Sequence, residues 1–362
     1  VNAPSLPAAI LEAYFEEVLQ RVWVQASVER SFRLGAFLVR TISPQAEMLR
    51  SMTRALNHVE TSPGGTPDVT ILLWGGEPVP PSPFLIYERV FGAEAAKALR
   101  TAPLSAHGQY AVFNSPNIRT SLHVSPNVLR LTDVRRGLAL EWHAEPNPLP
   151  YYTRAEPFRQ VFSWMLNRPG WVITHGGAVG VAQGGVLFMG DSGIGKTTAA
   201  LSCIGSSLSY AGDDYCLIDI ESNTAYSLYH AAKLRGNIDT GRFPHLQRLI
   251  DNPVRQSHEK ALVFAGELSP SPIIRSFPLR ALLTPRRVPL TQTPRLIPIR
   301  PGEALAAIAP STLAEQPGGR EAALPALIRL TQALPAYIIE VNEEIQRIPL
   351  LVEELLHDQG WM

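Results

Sequence analysis

Gly190-Asp191-Ser192-Gly193-Ile194-Gly195-Lys196-Thr197 fits the phosphate-loop pattern G-x-x-x-x-G-K-[ST] at every fixed position. Its surroundings fit as well. Gly185-Val186-Leu187-Phe188-Met189 before it is a short apolar run bounded by glycines, and Thr198-Ala199-Ala200-Leu201-Ser202-Cys203-Ile204 after it reads as a helix start. A loop between a buried strand and a helix lets glycines curl the backbone until several amide N–H groups face one anion, with the helix N-terminus adding its positive end. Polyphosphate is the expected guest of Gly190 to Thr197, with Thr198 beside it. Lys196 would reach the β- and γ-phosphates, and the Thr197 hydroxyl would take one position on a Mg²⁺ that bridges them.

A group able to hold metal or take a proton is then needed near the terminal phosphate. Gly212-Asp213-Asp214 offers two adjacent carboxylates immediately before the apolar run Tyr215 to Ile220. One of the pair could coordinate Mg²⁺ while the other accepts a hydroxyl proton, or their mutual repulsion could raise one pKa toward useful basicity. A Gly-Asp turn facing water is the plainer reading. Asp219, which ends its apolar run, is the rival metal-side acid. His175-Gly176-Gly177 follows the strand-like Trp171 to Thr174, one strand upstream of the loop strand, and a lone histidine there is commonly structural.

With 362 residues the chain can hold two or three domains and a sizeable core. Lys plus Arg and Asp plus Glu each number 32, so net charge points to no nucleic-acid partner. Cys203 and Cys216 are the only cysteines and read as buried small hydrophobes; zinc spacing is absent. No apolar run approaches the roughly 18 residues of a spanning helix, so no membrane partner is expected. Val1-Asn2-Ala3-Pro4 lacks a basic stretch followed by an apolar one, which makes the cytoplasm the expected location. A homo-oligomer stays open.

Along the chain, Ile10, Leu11, Tyr14, Phe15, Val18, Leu19 and Val22 predict an amphipathic helix, and Gln45 to Val59 a second. Gly35 to Val39 and Val69 to Trp74 read as strands, Pro78 to Pro83 as an extended surface segment, and Gln109 to Glu141 as an antiparallel meander with a turn at Ser125-Pro126-Asn127. Pro146-Asn147-Pro148-Leu149-Pro150 punctuates the chain and sets an expected boundary, giving domains 1–150 and 151–362. Beyond it come a helix over Glu156 to Asn167 and a hairpin of Tyr215 to Ile220 with Thr224 to Tyr229. A short strand at Ala261 to Phe264 precedes a proline- and arginine-rich run from Phe277 to Arg300. Helices follow near Glu303, Glu321 and Ile345, with a strand at Ala336 to Val341 and a last helix that turns Leu350, Leu351, Leu355 and Leu356 inward. The hairpin departs from βαβ alternation, so the expected class is mixed α/β.

Taken together, His175-Gly176, the loop Gly190 to Thr197, and Ala211-Gly212-Asp213-Asp214 resemble the HPr kinase/phosphorylase family and its broader set of HPr-kinase-like serine kinases, whose fold is related to phosphoenolpyruvate carboxykinase. The spacings from His175 to Lys196 and from Lys196 to Asp214 agree with that family. The resemblance implies a phosphate-loop kinase domain of that fold after a smaller mixed α+β domain. It implies ATP and Mg²⁺ as cofactors, Asp214 as proton acceptor from a serine hydroxyl, His175 in the active site and Thr197 on the metal; with Asp214 so assigned, Asp213 is the carboxylate of the pair expected on the metal. Where the family has a metal-binding glutamate before an apolar-Arg-Gly segment, this chain has Lys233-Leu234-Arg235-Gly236, which argues against the full kinase/phosphorylase site. Lys233, Arg235, Lys260 and Arg275 are candidate cations for the phosphoryl group or the acceptor. The first 150 residues resemble the leader of HPr-kinase-like proteins beside peptide-modification systems, some of which phosphorylate a ribosomally made peptide. The expected activity is transfer from ATP to a Ser or Thr hydroxyl of a peptide or protein. A small-molecule hydroxyl kinase and a non-catalytic nucleotide sensor are the alternatives.

Overall fold

The structure is a computed structural model and describes residues 3–23, 27–101, 110–124, 127–316 and 319–361. Val1, Asn2, Gln109 and the turn residues Ser125 and Pro126, named above, lie outside the described residues. The architecture is mixed α/β, with two large sheets and one small ribbon.

The first sheet is built around β4, where Val69, Ile71 and Leu73 face one core and Leu72 and Trp74 the other. Such a run without polar alternation belongs at the centre of a sheet covered on both faces. Its strands are β1 (Val28–Leu34), β2 (Phe37–Ser43), β3 (Glu60–Thr61), β4 (Val69–Gly75), β5 (Ile118–Val124), β6 (Asn127–Asp133) and β7 (Leu138–His143), in the order β3-β1-β2-β4-β7-β6-β5. β4 runs parallel to β2 and β7, while β5, β6 and β7 form the expected antiparallel meander. One face is covered by α1 (Ala8–Trp23), which buries Leu11, Tyr14, Phe15, Val18, Leu19 and Val22. The other receives α2 (Ala46–Thr53) and the 3-10 turn Arg54–Val59.

The proline-rich stretch is not wholly extended: Ser82 Oγ accepts from Phe84 N and Pro83 opens α3 (Pro83–Phe91), followed by α4 (Ala93–Thr101). Proline fits a first helical turn because the N–H that it lacks would have no partner there.

Glu141 is fully buried in β7, where its Oε1 accepts from Arg130 Nη2 at 3.1 Å and lies 2.9 Å from His143 Nε2. Burial pushes its carboxyl up, but the Arg130 charge and the His143 contact outweigh that and hold it at about 2. Its stabilising contribution is therefore present above the ordinary value of 4.5 and lost as pH falls toward about 2. Glu141→Gln, which strands the Arg130 charge, is expected to cost about 3–5 kcal/mol of unfolding free energy by denaturant titration. A loss under about 1 kcal/mol would contradict that account.

The second sheet carries the loop. Its strands are β8 (Trp171–His175), β9 (Gly177–Val181), β10 (Gly184–Phe188), β11 (Ser209–Gly212), β12 (Tyr215–Asp219) and β13 (Thr224–Ser227), with β16 (Ser276–Arg287), β17 (Leu296–Ile299) and β18 (Ala336–Val341). Between them in sequence, β14 (Ala231–Leu234) and β15 (Ala261–Phe264) pair as a separate ribbon. β10 is antiparallel to β9 and parallel to β16, so the sheet is mixed. On one face lie α7 (Lys196–Ser202) and α11 (Arg347–Asp358), and on the other α9 (Pro301–Ala314) and α10 (Arg320–Ala333). Between β14 and β15 comes α8 (Gly236–Arg242).

Four expectations are corrected. The helix expected over Glu156 to Asn167 is the shorter α6 (Arg159–Met165), preceded by a separate α5 (Tyr151–Ala155), because Pro157 disfavours helical backbone at its predecessor and Phe158 turns left-handed at φ 56°. β9 stands between the histidine strand and the loop strand, so His175 is two strands upstream of the loop. The proline- and arginine-rich run contains β16, the longest strand described. Leu350 points outward at 60% exposure, while Leu355 and Leu356 are buried and Leu351 is half-buried.

Candidate active site

The loop leaves the end of β10 and enters α7, as the sequence predicts. Gly190, Gly193 and Gly195 all have positive φ. At Gly193 an added Cβ would also stand 3.2 Å from Arg235 Nη1, so a side chain there would push that guanidinium off the loop. Lys196 is buried and folds back, its Nζ donating to Gly190 O at 2.8 Å and Asp191 O at 3.1 Å. Burial lowers its pKa against the opposing pull of Asp214 and Asp213. Asp191 itself is exposed, so its contribution to the loop is its backbone.

The acidic pair occupies the tight link between β11 and β12, and the register brings it to the loop. Tyr215 pairs with His175, and Gly176 N donates to Asp214 O at 3.0 Å. Gly176 also passes close to the end of the loop strand, where a Cβ would lie 2.6 Å from Phe188 O. The two carboxylates then meet opposite surroundings. Asp213 is buried, with the hydroxyls of Thr197 and Tyr210 as neighbours and Oδ2 without a hydrogen-bond partner. Burial and the adjacent Asp214 charge push its carboxyl well above the usual range. For Asp214 burial acts the same way, but Lys233 and His175 outweigh it and hold the carboxyl well below that range. Lys233 Nζ is 2.9 Å from Asp214 Oδ2, and His175 Nε2 is 3.7 Å from Oδ1.

Lys233 on β14 also pairs with Glu156, so its ammonium joins two carboxylates. Glu156 is a site residue that pattern reading passes over as the start of a helix; the break at Pro157 is what frees it to face the ribbon. Arg159 follows, with Nη1 donating to Glu315 Oε2 at 2.6 Å and Tyr215 Oη at 2.7 Å. Arg235 Nη2 donates to Ser192 Oγ at 3.2 Å, arching over the loop. Lys260 lies just before β15, where burial and Lys233 lower its pKa. Of the two remaining candidates, Arg275 is exposed and Asp219 caps a turn through Glu221 N and Ser222 Oγ at the far end of β12. Neither lines the loop cavity.

That cavity, of about 100 Å³, is lined by Ser192, Gly193, Gly195, Lys196, Thr197, Thr198, His175, Asp214, Lys233, Arg235, Asp239, Lys260 and Arg287. Among the described residues, Lys196, Arg235, Lys260 and Arg287 have no carboxylate ion-pair partner. Four cations without an ion-pair partner beside a glycine loop, with Asp214 and Asp239 on the same wall, would suit a highly charged anion. Arg287 was not singled out by the sequence, since it sits in the run where no motif marks it.

A second cavity, of about 380 Å³, shares His175, Ser192, Asp214, Lys233 and Lys260 with the first and extends to His123, Arg130 and Tyr152. Asp214 thus stands where a loop-bound anion and a second molecule could meet. The ribbon that carries Lys233 is braced by the first half of the chain: Arg54 pairs with Asp251 and Glu267 and lies 4.2 Å from the centre of the Phe264 ring. Both cysteines are free and buried, and burial pushes the Cys203 thiol up to about 12.

No cluster of three or more metal-binding side chains occurs among the described residues; Mg²⁺ is an ion commonly held by one or two protein oxygens plus phosphate and water. The orphaned Asp213 Oδ2 beside Thr197 fits that donor set. No helix described is long and apolar enough to cross a membrane.

Against known proteins, no protein-family model matches the chain, and no curated protein matches it. Among solved structures, the chain is similar to the Hpr(Ser) kinase/phosphatase from Coxiella burnetii, with 14% identity and a TM-score of 0.28, over 52% of this chain and 95% of that one. A likeness this distant assigns no residue a role.

Proposed function

We propose that the chain is an ATP-dependent kinase that transfers the γ-phosphoryl group to a Ser or Thr hydroxyl of a peptide or protein, a ribosomally made precursor peptide being one such acceptor. The observation that carries this is the placement of Asp214 on the wall shared by the cation-lined loop cavity and the larger cavity beside it. Phosphoryl transfer asks mainly for alignment and neutralised charge, and that arrangement supplies both.

In this reading Gly190 to Thr198 hold the phosphates through backbone N–H groups and Lys196, which leaves its two loop carbonyls for the anion. Thr197 and Asp213 would hold Mg²⁺, which screens the charge on the β- and γ-phosphate oxygens. Burial favours the protonated form of Asp213; a cation bound there would offset that, and the displaced proton would leave to water. The acceptor hydroxyl enters from the larger cavity. Its oxygen forms the new bond to the γ-phosphorus, the bond from that phosphorus to the β,γ-bridging oxygen breaks, and ADP leaves. Asp214 Oδ1 takes the hydroxyl proton, since Lys233 occupies Oδ2. Because Lys233 keeps Asp214 ionised, proton uptake comes late, when bond formation has made the hydroxyl acidic. Residues 1–150 brace the Lys233 ribbon and supply part of the acceptor wall.

The test is incubation with γ-labelled ATP and Mg²⁺ alongside serine-containing peptides and, separately, free hydroxy amino acids. Label on the peptides alone is the expected result. Label only on the small molecules would replace the acceptor class, and label on neither would leave a nucleotide sensor.

A further inference from the structure

A third cavity, of about 330 Å³, adjoins the loop at Ile194, Gly195 and Thr198 and does not have Asp214 on its wall. It shares Gly195, Thr198 and Arg287 with the loop cavity and no residue with the acceptor cavity. The loop cavity is therefore the one that adjoins both of the others. The third differs in character: Ile194, Val288, Leu290, Val341, Ile345 and Ile348 give it an aliphatic wall, with Arg242, Asn342 and Glu343 at its polar part. Leu290 is 59% exposed on the link from β16 to β17, while Val341 and Ile348 are buried.

We infer that this cavity takes the aromatic base and ribose of the nucleotide whose phosphates the loop holds, and that Arg287 spans the junction. The inference rests on the kinase reading above and fixes the direction of the bound nucleotide. A triphosphate in the loop has two ends. One must face Asp214 for transfer, so the nucleoside leaves on the other side, where an apolar slot of ligand-binding size adjoins Gly195 and Thr198. Arg287, without a carboxylate partner and on both walls, faces the phosphate next to the sugar. A flat base is better withdrawn from water in the aliphatic space than in the acceptor cavity, where Asp214, Glu156 and Glu315 stand among Met52, Tyr152 and Tyr215.

The test compares the affinities of MgATP and magnesium tripolyphosphate for the full chain by titration calorimetry. Wild-type protein is expected to bind ATP at least about ten-fold more tightly than tripolyphosphate, the gain from burying one base. Leu290→Asp, on an exposed side chain, and Val288→Trp, which fills the slot, are expected to remove most of that difference while leaving tripolyphosphate affinity unchanged. Equal affinities in the wild type, or an undiminished preference for ATP in Leu290→Asp, would overturn the inference. Should Val288→Trp lose both ligands through misfolding, Leu290→Asp decides alone. Lys196→Ala is expected to weaken both ligands alike. If it weakens neither, the phosphate grip fails, while the slot variants still report on the base.

Discussion

Asp214→Asn is expected to lower the rate of phosphoryl transfer by about 10²–10⁴-fold while MgATP affinity stays close to that of the wild type. The substitution keeps the shape of the side chain and removes the one carboxylate that lines both the loop cavity and the acceptor cavity while being held ionised. Binding should survive, because the groups around the phosphates are the loop N–H groups, Lys196, Arg235, Lys260 and Arg287. Lys233, released from Asp214, retains Glu156 as its partner, so the ribbon should keep its position. Single-turnover transfer and calorimetric binding of the nucleotide separate the two effects. Transfer near the wild-type rate would remove Asp214 from the chemistry.

The second large effect is expected at the loop lysine. Lys196→Ala should lower kcat/KM for ATP by about 10²–10³-fold, the usual cost of losing one charged donor that meets a transferring group in a water-poor site. In the free protein the ammonium is already buried and satisfied by the Gly190 and Asp191 carbonyls, so the loop can close on itself without ligand. Deleting it costs phosphate binding more than it costs the fold, and thermal unfolding of the ligand-free variant should stay near that of the wild type. A variant with unchanged kcat/KM would show that the loop holds no phosphate.

The loop was legible because its signature is local: glycines needed at positive φ, followed directly by Lys and Thr, record a backbone shape that no distant contact has to create. The hairpin of β12 and β13 was legible for the same reason, its turn residues lying between two apolar runs. β16 was not. Pro278 and Pro285 argue against a central strand, yet Pro278 sits where only β13 pairs and Pro285 where only β18 does. Each missing N–H falls where the strand has a partner on one side alone, and the stretch between them joins β10. That arrangement is a property of three strands together and leaves no mark in the run itself.

The acidic pair shows the same division. Gly212-Asp213-Asp214 marked the place, but the opposite states of its carboxylates depend on Lys233 and His175 on Asp214 and on the Thr197 and Tyr210 hydroxyls beside Asp213. Glu156 escaped notice because a break one residue later decides where it points. Arg287 escaped because an unpaired cation is recognised only once the carboxylates around it have been placed.

The most direct measurement is a crystal structure of the full chain with Mg²⁺ and a non-hydrolysable ATP analogue. The expected result has the phosphates on Gly190 to Thr198, the terminal phosphate turned toward Asp214 with room for a hydroxyl between them, and the base among Ile194, Val288 and Ile348. A terminal phosphate turned away from Asp214, or an analogue bound elsewhere on the chain, would contradict the account.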